Sequence, residues 1–242
     1  MKRFKNILLI LAAAPMLAFA SGGPHVHLDK APVDLADQES LQRGARVFVN
    51  YCLNCHSAGY MRYSRLQDLG LTEDQIKENL MFAAEKPGET MAVAMSRTDG
   101  KAWFGATPPD LTVISRSRGA DWLYTYLRGF YRDDTRPTGW NNLVFDKVGM
   151  PHVMWSLQGE MAPVYKKDGE HEVIERLELV KPGSVSLAQY DAMAGDLVNY
   201  LVWMGEPDKM KRMQIGLLVL GFLAIFFVVA YYLKKEFWKD IH

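Results

Sequence analysis

Two cysteines in 242 residues are too few for a disulfide framework, and they stand only three positions apart, at Cys52 and Cys55. Net charge is missing as well: 28 Lys or Arg balance 28 Asp or Glu. A chain without a basic excess has no electrostatic footprint for nucleic acid, so no nucleic-acid partner is expected. There is no internal repeat and no low-complexity tract, which excludes solenoid arrays and long disordered linkers. What remains is a length and a hydrophobic content, 49%, that can bury one good core enlarged by insertions.

The charge balance hides an asymmetry. Residues 21–208 hold 26 acidic against 19 basic side chains, a surplus that suits a basic partner and equally serves solubility. The compensating cations flank two apolar stretches. Lys2, Arg3 and Lys5 precede an apolar run over 7–19, and Ala18-Phe19-Ala20 offers small residues where a signal peptidase inspects the chain. Residues 1–20 therefore read as a cleaved signal peptide, since the run is short for a span and Pro15 interrupts it. Residues 213–233 carry no charge at all. About 21 residues of helix reach roughly 31 Å, a bilayer core. Lys209, Lys211 and Arg212 stand on one side, Lys234, Lys235 and Lys239 on the other, with Tyr231, Tyr232 and Trp238 as an interfacial girdle. This reads as one transmembrane helix over 209–235. Balanced basic flanks do not orient it, but the signal peptide does: 21–208 in the periplasm, 236–242 as a cytoplasmic tail, on a bacterial inner membrane.

Cys52-Leu53-Asn54-Cys55-His56 is a C-x-x-C-H sequence, the attachment pattern for covalent haem c. The spacing has a chemical reason: two thiols one turn apart can reach the two vinyl groups of one porphyrin, and the next residue brings an imidazole to the iron. Half a zinc site would need more Cys or His nearby, and a redox dithiol does not call for the adjacent His. One covalently bound haem c is expected, with His56 as a metal ligand.

The second axial ligand must come from thirteen methionines, most of which are flexible core filler. Met150 sits in Val148-Gly149-Met150-Pro151-His152, where Gly and Pro enforce a loop, and is the expected ligand. Met161 and, behind it, Met154 are alternatives, and His152 would give a bis-His haem. A thioether raises the potential and fills the last iron position.

Along the chain, an extended arm over 21–38, with His25 and His27 at its surface, leads into a helix over 41–55. Thr72 and Gln75 form a capping box for a helix over 73–84. The stretch 85–109 reads as a loop-rich insertion, and 121–130 as a helix. Asp168-Gly169 marks a hairpin turn between segments 162–166 and 173–180. Ser186 and Gln189 cap a last core helix ending near Gly205, and Pro207 suits the first turn of the membrane helix. Gly44, Phe48 and Cys52 recur every four residues, and Leu197 and Tyr200 mark a face of the later helix. This pair resembles the crossing terminal helices of the class I cytochrome c fold, in which a Gly admits the close approach and aromatics pack at the crossing. The fold expected is mainly α: a class I cytochrome c-like haem domain with insertions and a small β-hairpin, plus the C-terminal membrane helix.

Cys52-Leu53-Asn54-Cys55-His56-Ser57, Pro108-Pro109-Asp110-Leu111 followed by Arg116 and Arg118, Gly149-Met150-Pro151, and Trp203-Met204-Gly205-Glu206-Pro207 before a single anchor together resemble the cytochrome c1 family, the haem c subunit of the cytochrome bc1 complex (ubiquinol–cytochrome c oxidoreductase). The resemblance covers the whole mature chain. It implies that Pro109 offers its carbonyl to the His56 ring, that Arg118 pairs with a haem propionate, and that Trp122, where relatives often have Tyr, stacks or bonds nearby. A solvated Arg116–Arg118 pair is the plainer alternative. It also implies an electron relay without bond-making chemistry by this chain, so no enzyme in isolation. Cytochrome b, a Rieske iron–sulfur protein, a soluble periplasmic cytochrome c and membrane lipid are the implied partners. The haem c subunit of a nitric oxide reductase or terminal oxidase is the other reading, though such subunits usually carry an N-terminal anchor. A haem enzyme or gas sensor with an open iron is the third.

Overall fold

The computed structural model of this chain describes residues 26–169 and 171–240. The signal peptide expected over 1–20 lies outside them, as does His25. Asp37 starts the first helix, α1 (Gln38–Val47), by accepting a hydrogen bond from the Ser40 amide at 2.9 Å, which satisfies one of the N–H groups that a helix start leaves open. Leu41, Gly44, Ala45 and Phe48 recur at three- and four-residue steps and face the core. The α-helix does not continue to Cys55. From Phe48 to Cys52 the backbone is π-helical, the Leu53 amide bonding to the Phe48 carbonyl five residues back. A widened turn of this kind inserts a residue without breaking the ladder. Cys52 thus stays buried while Cys55 and His56 emerge half-buried beyond it.

β1 (Ala58–Arg62) follows, then a 3₁₀ helix (Tyr63–Leu69) and α2 (Glu73–Asn79), which begins at the expected Thr72–Gln75 capping box. α2 stops at Asn79 instead of running to Ala84, although beyond it Leu80 is buried and Met81 and Ala84 still pack against the core that holds Ile76. The insertion is more ordered than its breakers suggested. β2 (Thr90–Met91) pairs antiparallel with β1, and α3 (Arg97–Phe104) is capped by Ser96 and holds Gly100 inside it. α4 (Ile114–Arg118) and α5 (Ala120–Arg128) are divided at Gly119. An unforeseen hairpin, β3 (Phe130–Arg132) with β4 (Trp140–Asn142), precedes α6 (Trp155–Gln158). β5 (Gly159–Asp168) and β6 (His171–Pro182) form the foreseen hairpin, longer at both ends than its alternation implied. α7 (Leu187–Gly205) starts at the reciprocal Ser186–Gln189 cap. α8 (Lys209–Phe237) starts after Asp208, so Pro207 lies in the turn before it and not in its first turn. With no N–H to donate, Pro207 cannot prolong α7.

α1 crosses α7 at Gly44. A Cβ there would stand 2.1 Å from the Asp196 carbonyl oxygen and 2.7 Å from Tyr200 Cβ, so the approach requires glycine. Phe48 and Tyr200 pack at the crossing with ring centroids 5.6 Å apart, and Arg43 pairs with Asp196 at 2.6 Å on the rim. α5 lies on the same helix: Leu123 and Leu127 join its core, and the Tyr190 hydroxyl donates to the Leu127 carbonyl at 2.9 Å. α8 leaves this body with its apolar side chains exposed along its length. It is long and apolar enough to cross a membrane, and fits a single C-terminal anchor. Glu206 fastens its base, accepting from Arg212 at 2.5 Å and lying 3.6 Å from Arg116. Arg116, itself largely exposed, is thus drawn towards the start of the anchor by Glu206.

Candidate functional site

A cavity of about 340 Å³ opens where the end of α1, the 104–111 segment, α4, α5, the 145–153 segment and α7 meet. Cys52, Cys55, His56, Pro109, Arg118, Trp122 and Met150 all line it, among mostly apolar neighbours that include Leu111, Ile114, Leu123, Val148 and Leu197. Burial pushes the Cys52 thiol up to about 12, with the nearby Cys55 adding to it, and pushes Cys55 up as well. Both are therefore held as neutral S–H groups.

His56 is oriented by a clamp that reaches across the chain. The Asp110 carboxylate accepts from the Gly59 amide at 2.6 Å and from the Thr112 amide and hydroxyl at 2.8 and 2.6 Å. The Leu111 amide donates to the Ser57 carbonyl at 2.8 Å. These bonds bind 108–112 to the residues just after the motif and hold the Pro109 carbonyl 2.7 Å from His56 Nδ1. A carbonyl only accepts, so Nδ1 carries the proton and Nε2 keeps its lone pair free. Burial lowers the His56 pKa, opposed by the bond to Pro109 and by the Asp110 charge. The ring is thus a neutral imidazole with one nitrogen fixed and the other available.

Met150 is set by the loop around it. Val148 joins Phe130 and Trp140 in a small satellite core against which Met150 and Tyr126 also pack. Gly149 passes so near the end of α3 that a Cβ would meet the Phe104 carbonyl oxygen at 3.0 Å. The Tyr126 hydroxyl, held neutral by burial, donates to Met150 Sδ at 3.3 Å. The alternatives lie elsewhere. Met154, 2% exposed, belongs to the main core, and Met161 is buried in β5; neither lines the cavity. His152 is stacked on Phe130 at 4.9 Å and 3°, with Nε2 2.7 Å from Gln158 Oε1. Burial pushes it down to about 4, so it is a neutral core side chain.

Arg118 places its guanidinium 5.0 Å over the Trp122 ring at the cavity wall, and Trp122 stacks on Tyr126 at 4.8 Å. Sequence reading missed Tyr126 and the clamping role of Asp110. The four-residue step from Trp122 could have found Tyr126; Asp110 makes a local turn with Thr112, but its bond to the Gly59 amide, 51 positions away, has no signal in the sequence. The donor set suits a covalently attached haem: two neutral thiols, an imidazole with a free Nε2, a thioether and an arginine around an apolar cavity. His56 and Met150 would hold the iron, Cys52 and Cys55 the porphyrin, and Arg118 a propionate.

Residues 29–241 match the family model of the cytochrome C1 family. The chain is 50% identical over 237 residues to cytochrome c1 of Allochromatium vinosum, covering 96% of both chains. It is 30% identical over 230 residues to cytochrome c1 of Rhodospirillum rubrum, covering 85% of this chain and 83% of that one. Over 242 residues, the full length of both, it is 48% identical to a protein of Nitrosomonas europaea named ammonia monooxygenase gamma subunit.

Proposed function

The chain belongs to the cytochrome c1 family, and on that premise we propose that it binds a single haem c covalently and relays single electrons from a Rieske iron–sulfur protein to a soluble periplasmic cytochrome c. As a cytochrome c1 it is the haem c electron-transfer subunit of the bc1 oxidoreductase complex, with cytochrome b as its companion. The observation that carries the finer reading is the convergence on one apolar cavity of Cys52, Cys55, the His56 ring with its free Nε2, and Met150 Sδ. When bound, haem c supplies an iron that takes up and gives up one electron. The protein's part is to hold and tune it. Cys52 and Cys55 would tether the porphyrin, which would keep it from being lost between turnovers. The Pro109 carbonyl fixes the His56 tautomer and raises the basicity of the ligand. Met150 would be the second residue to hold the iron, and a thioether there would favour the ferrous state. Arg118 would offset propionate charge, and the Trp122 ring lies under its guanidinium to hold it in place.

The haem domain spans 21–208 and lies in the periplasm after removal of the 1–20 signal peptide. Residues 209–235 anchor it in the inner membrane beside cytochrome b, with 236–242 in the cytoplasm. The Nitrosomonas relative's name favours a second reading, a haem c subunit of another membrane oxidase or oxygenase assembly. Co-purification from mildly solubilised membranes separates the two: cytochrome b and a Rieske protein are expected with the chain. Their absence from intact complexes, with a monooxygenase or oxidase in their place, overturns the first reading. Haem that acid-acetone strips from the purified chain overturns covalent attachment.

A further inference from the structure

The phenol of Tyr126 reaches the functional atom of Met150. Its hydroxyl lies 3.3 Å from Sδ and is necessarily the donor, since a thioether carries no hydrogen. Among the described residues, that sulfur is the only hydrogen-bond partner of the hydroxyl. The ring cannot swing away. It is stacked on Trp122 with centroids 4.8 Å apart and planes 12° from parallel, and meets Phe130 edge-on at 5.1 Å. Trp122 is covered in turn by the Arg118 guanidinium at 5.0 Å. Trp122 and Tyr126 stand one turn apart on α5, while Arg118 ends α4 before the break at Gly119 and Phe130 opens β3, so the flanking elements complete the ladder.

We propose that Tyr126 is a positioning residue that sets the reduction potential of the haem by donating a hydrogen bond to the Met150 sulfur. The proposal rests on the reading of Met150 as an iron ligand. A thioether sulfur has two lone pairs; coordination takes one and leaves the other to accept the phenol proton. The donor draws electron density away from iron, and ferric iron, the more highly charged state, loses more by it. Tyr126 therefore favours the ferrous state and raises the potential. One hydrogen bond of ordinary net strength shifts such an equilibrium about threefold to tenfold, and tenfold corresponds to about 59 mV for one electron.

The test is Tyr126→Phe in the full chain within its complex, which keeps the ring and its stack and removes only the donor. Redox titration is expected to give a ferric-to-ferrous ratio about threefold to tenfold above native at a fixed ambient potential, with the thioether–iron charge-transfer band retained. A second variant carries 3-fluorotyrosine at position 126; this stronger donor moves the ratio the opposite way. An unchanged potential in Tyr126→Phe with the band intact overturns the proposal. So does a fluorotyrosine shift in the same direction as the phenylalanine shift. If the native protein itself lacks the band, the ligand reading has failed and the proposal falls with it, an outcome that the native spectrum alone distinguishes.

Discussion

Gly44→Ala tests the packing that positions the haem motif. The added methyl would lie 2.1 Å from the Asp196 carbonyl oxygen, where ordinary contact begins at 3.4 Å, so α1 and α7 must part by roughly 1.3 Å. The obstacle is backbone in the middle of a capped helix, which cannot rotate aside as a long side chain could. Overpacking costs about 1–3 kcal/mol, and this site belongs at the upper end, since parting the helices also loosens the Phe48–Tyr200 contact. Alanine returns about 1 kcal/mol as the better helix former, leaving a net loss of about 2 kcal/mol. At roughly 2–4 °C per kcal/mol for a chain of this size, melting falls by about 4–8 °C. The assay is a thermal scan of the detergent-solubilised holoprotein, followed by helical circular dichroism and by haem absorbance. Both signals should move together, because α1 runs directly into the segment bearing Cys52. Gly216→Ala in α8, where nothing lies within 4 Å of an added Cβ, is the control and should melt at or above native. Melting of Gly44→Ala within about 1 °C of native would refute the packing argument.

Met150→Leu should abolish the thioether–iron charge-transfer band while Met161→Leu leaves it intact; the reverse pattern assigns the ligand to the wrong methionine. Asp110→Ala frees the Gly59 and Thr112 amides from their shared carboxylate. It should cost about 1–2 kcal/mol and lower the reduction potential measurably less than Met150→Leu, since only the Pro109 support of His56 is loosened. Asp133 is held below the usual carboxylate range, first by the Thr135 hydroxyl and then by Asn141 and the Thr135 amide. A depressed folded value contributes stability that is present above the ordinary carboxylate pKa and lost as pH falls through the depressed one. Asp133→Asn should therefore melt below native near about pH 6, with the gap closing as pH falls below the ordinary carboxylate range; a gap independent of pH contradicts it.

Local rules were legible where local chemistry decides. Thr72–Gln75 and Ser186–Gln189 form the boxes their spacing implies, because a capping box needs only four consecutive residues. The Asp168-Gly169 turn and its alternating flanks became a hairpin for the same reason. Boundaries failed where a distant partner decides. α2 ends at Asn79 while Leu80, Met81 and Ala84 reach the core without a helix, and α3 keeps Gly100 because the tertiary setting outweighs the propensity of a single residue. The π segment before Cys52 has no signature, since the residues that fill α-helices also fill widened turns.

The order of residues alone determined the chemistry on offer: two thiols and an imidazole at a fixed covalent spacing, an uncharged run of membrane length, and a methionine between Gly and Pro. Those properties are carried by neighbours along the chain and do not depend on how it folds. That the expected Met150 and Arg118 line the cavity while Arg116, Met154 and Met161 do not, and that His152 is a neutral core side chain, came only from the folded chain. So did the Asp110 clamp and the Tyr126 donor. Each depends on atoms brought together from distant positions, and burial, orientation and protonation are properties of that neighbourhood, which composition and spacing leave open.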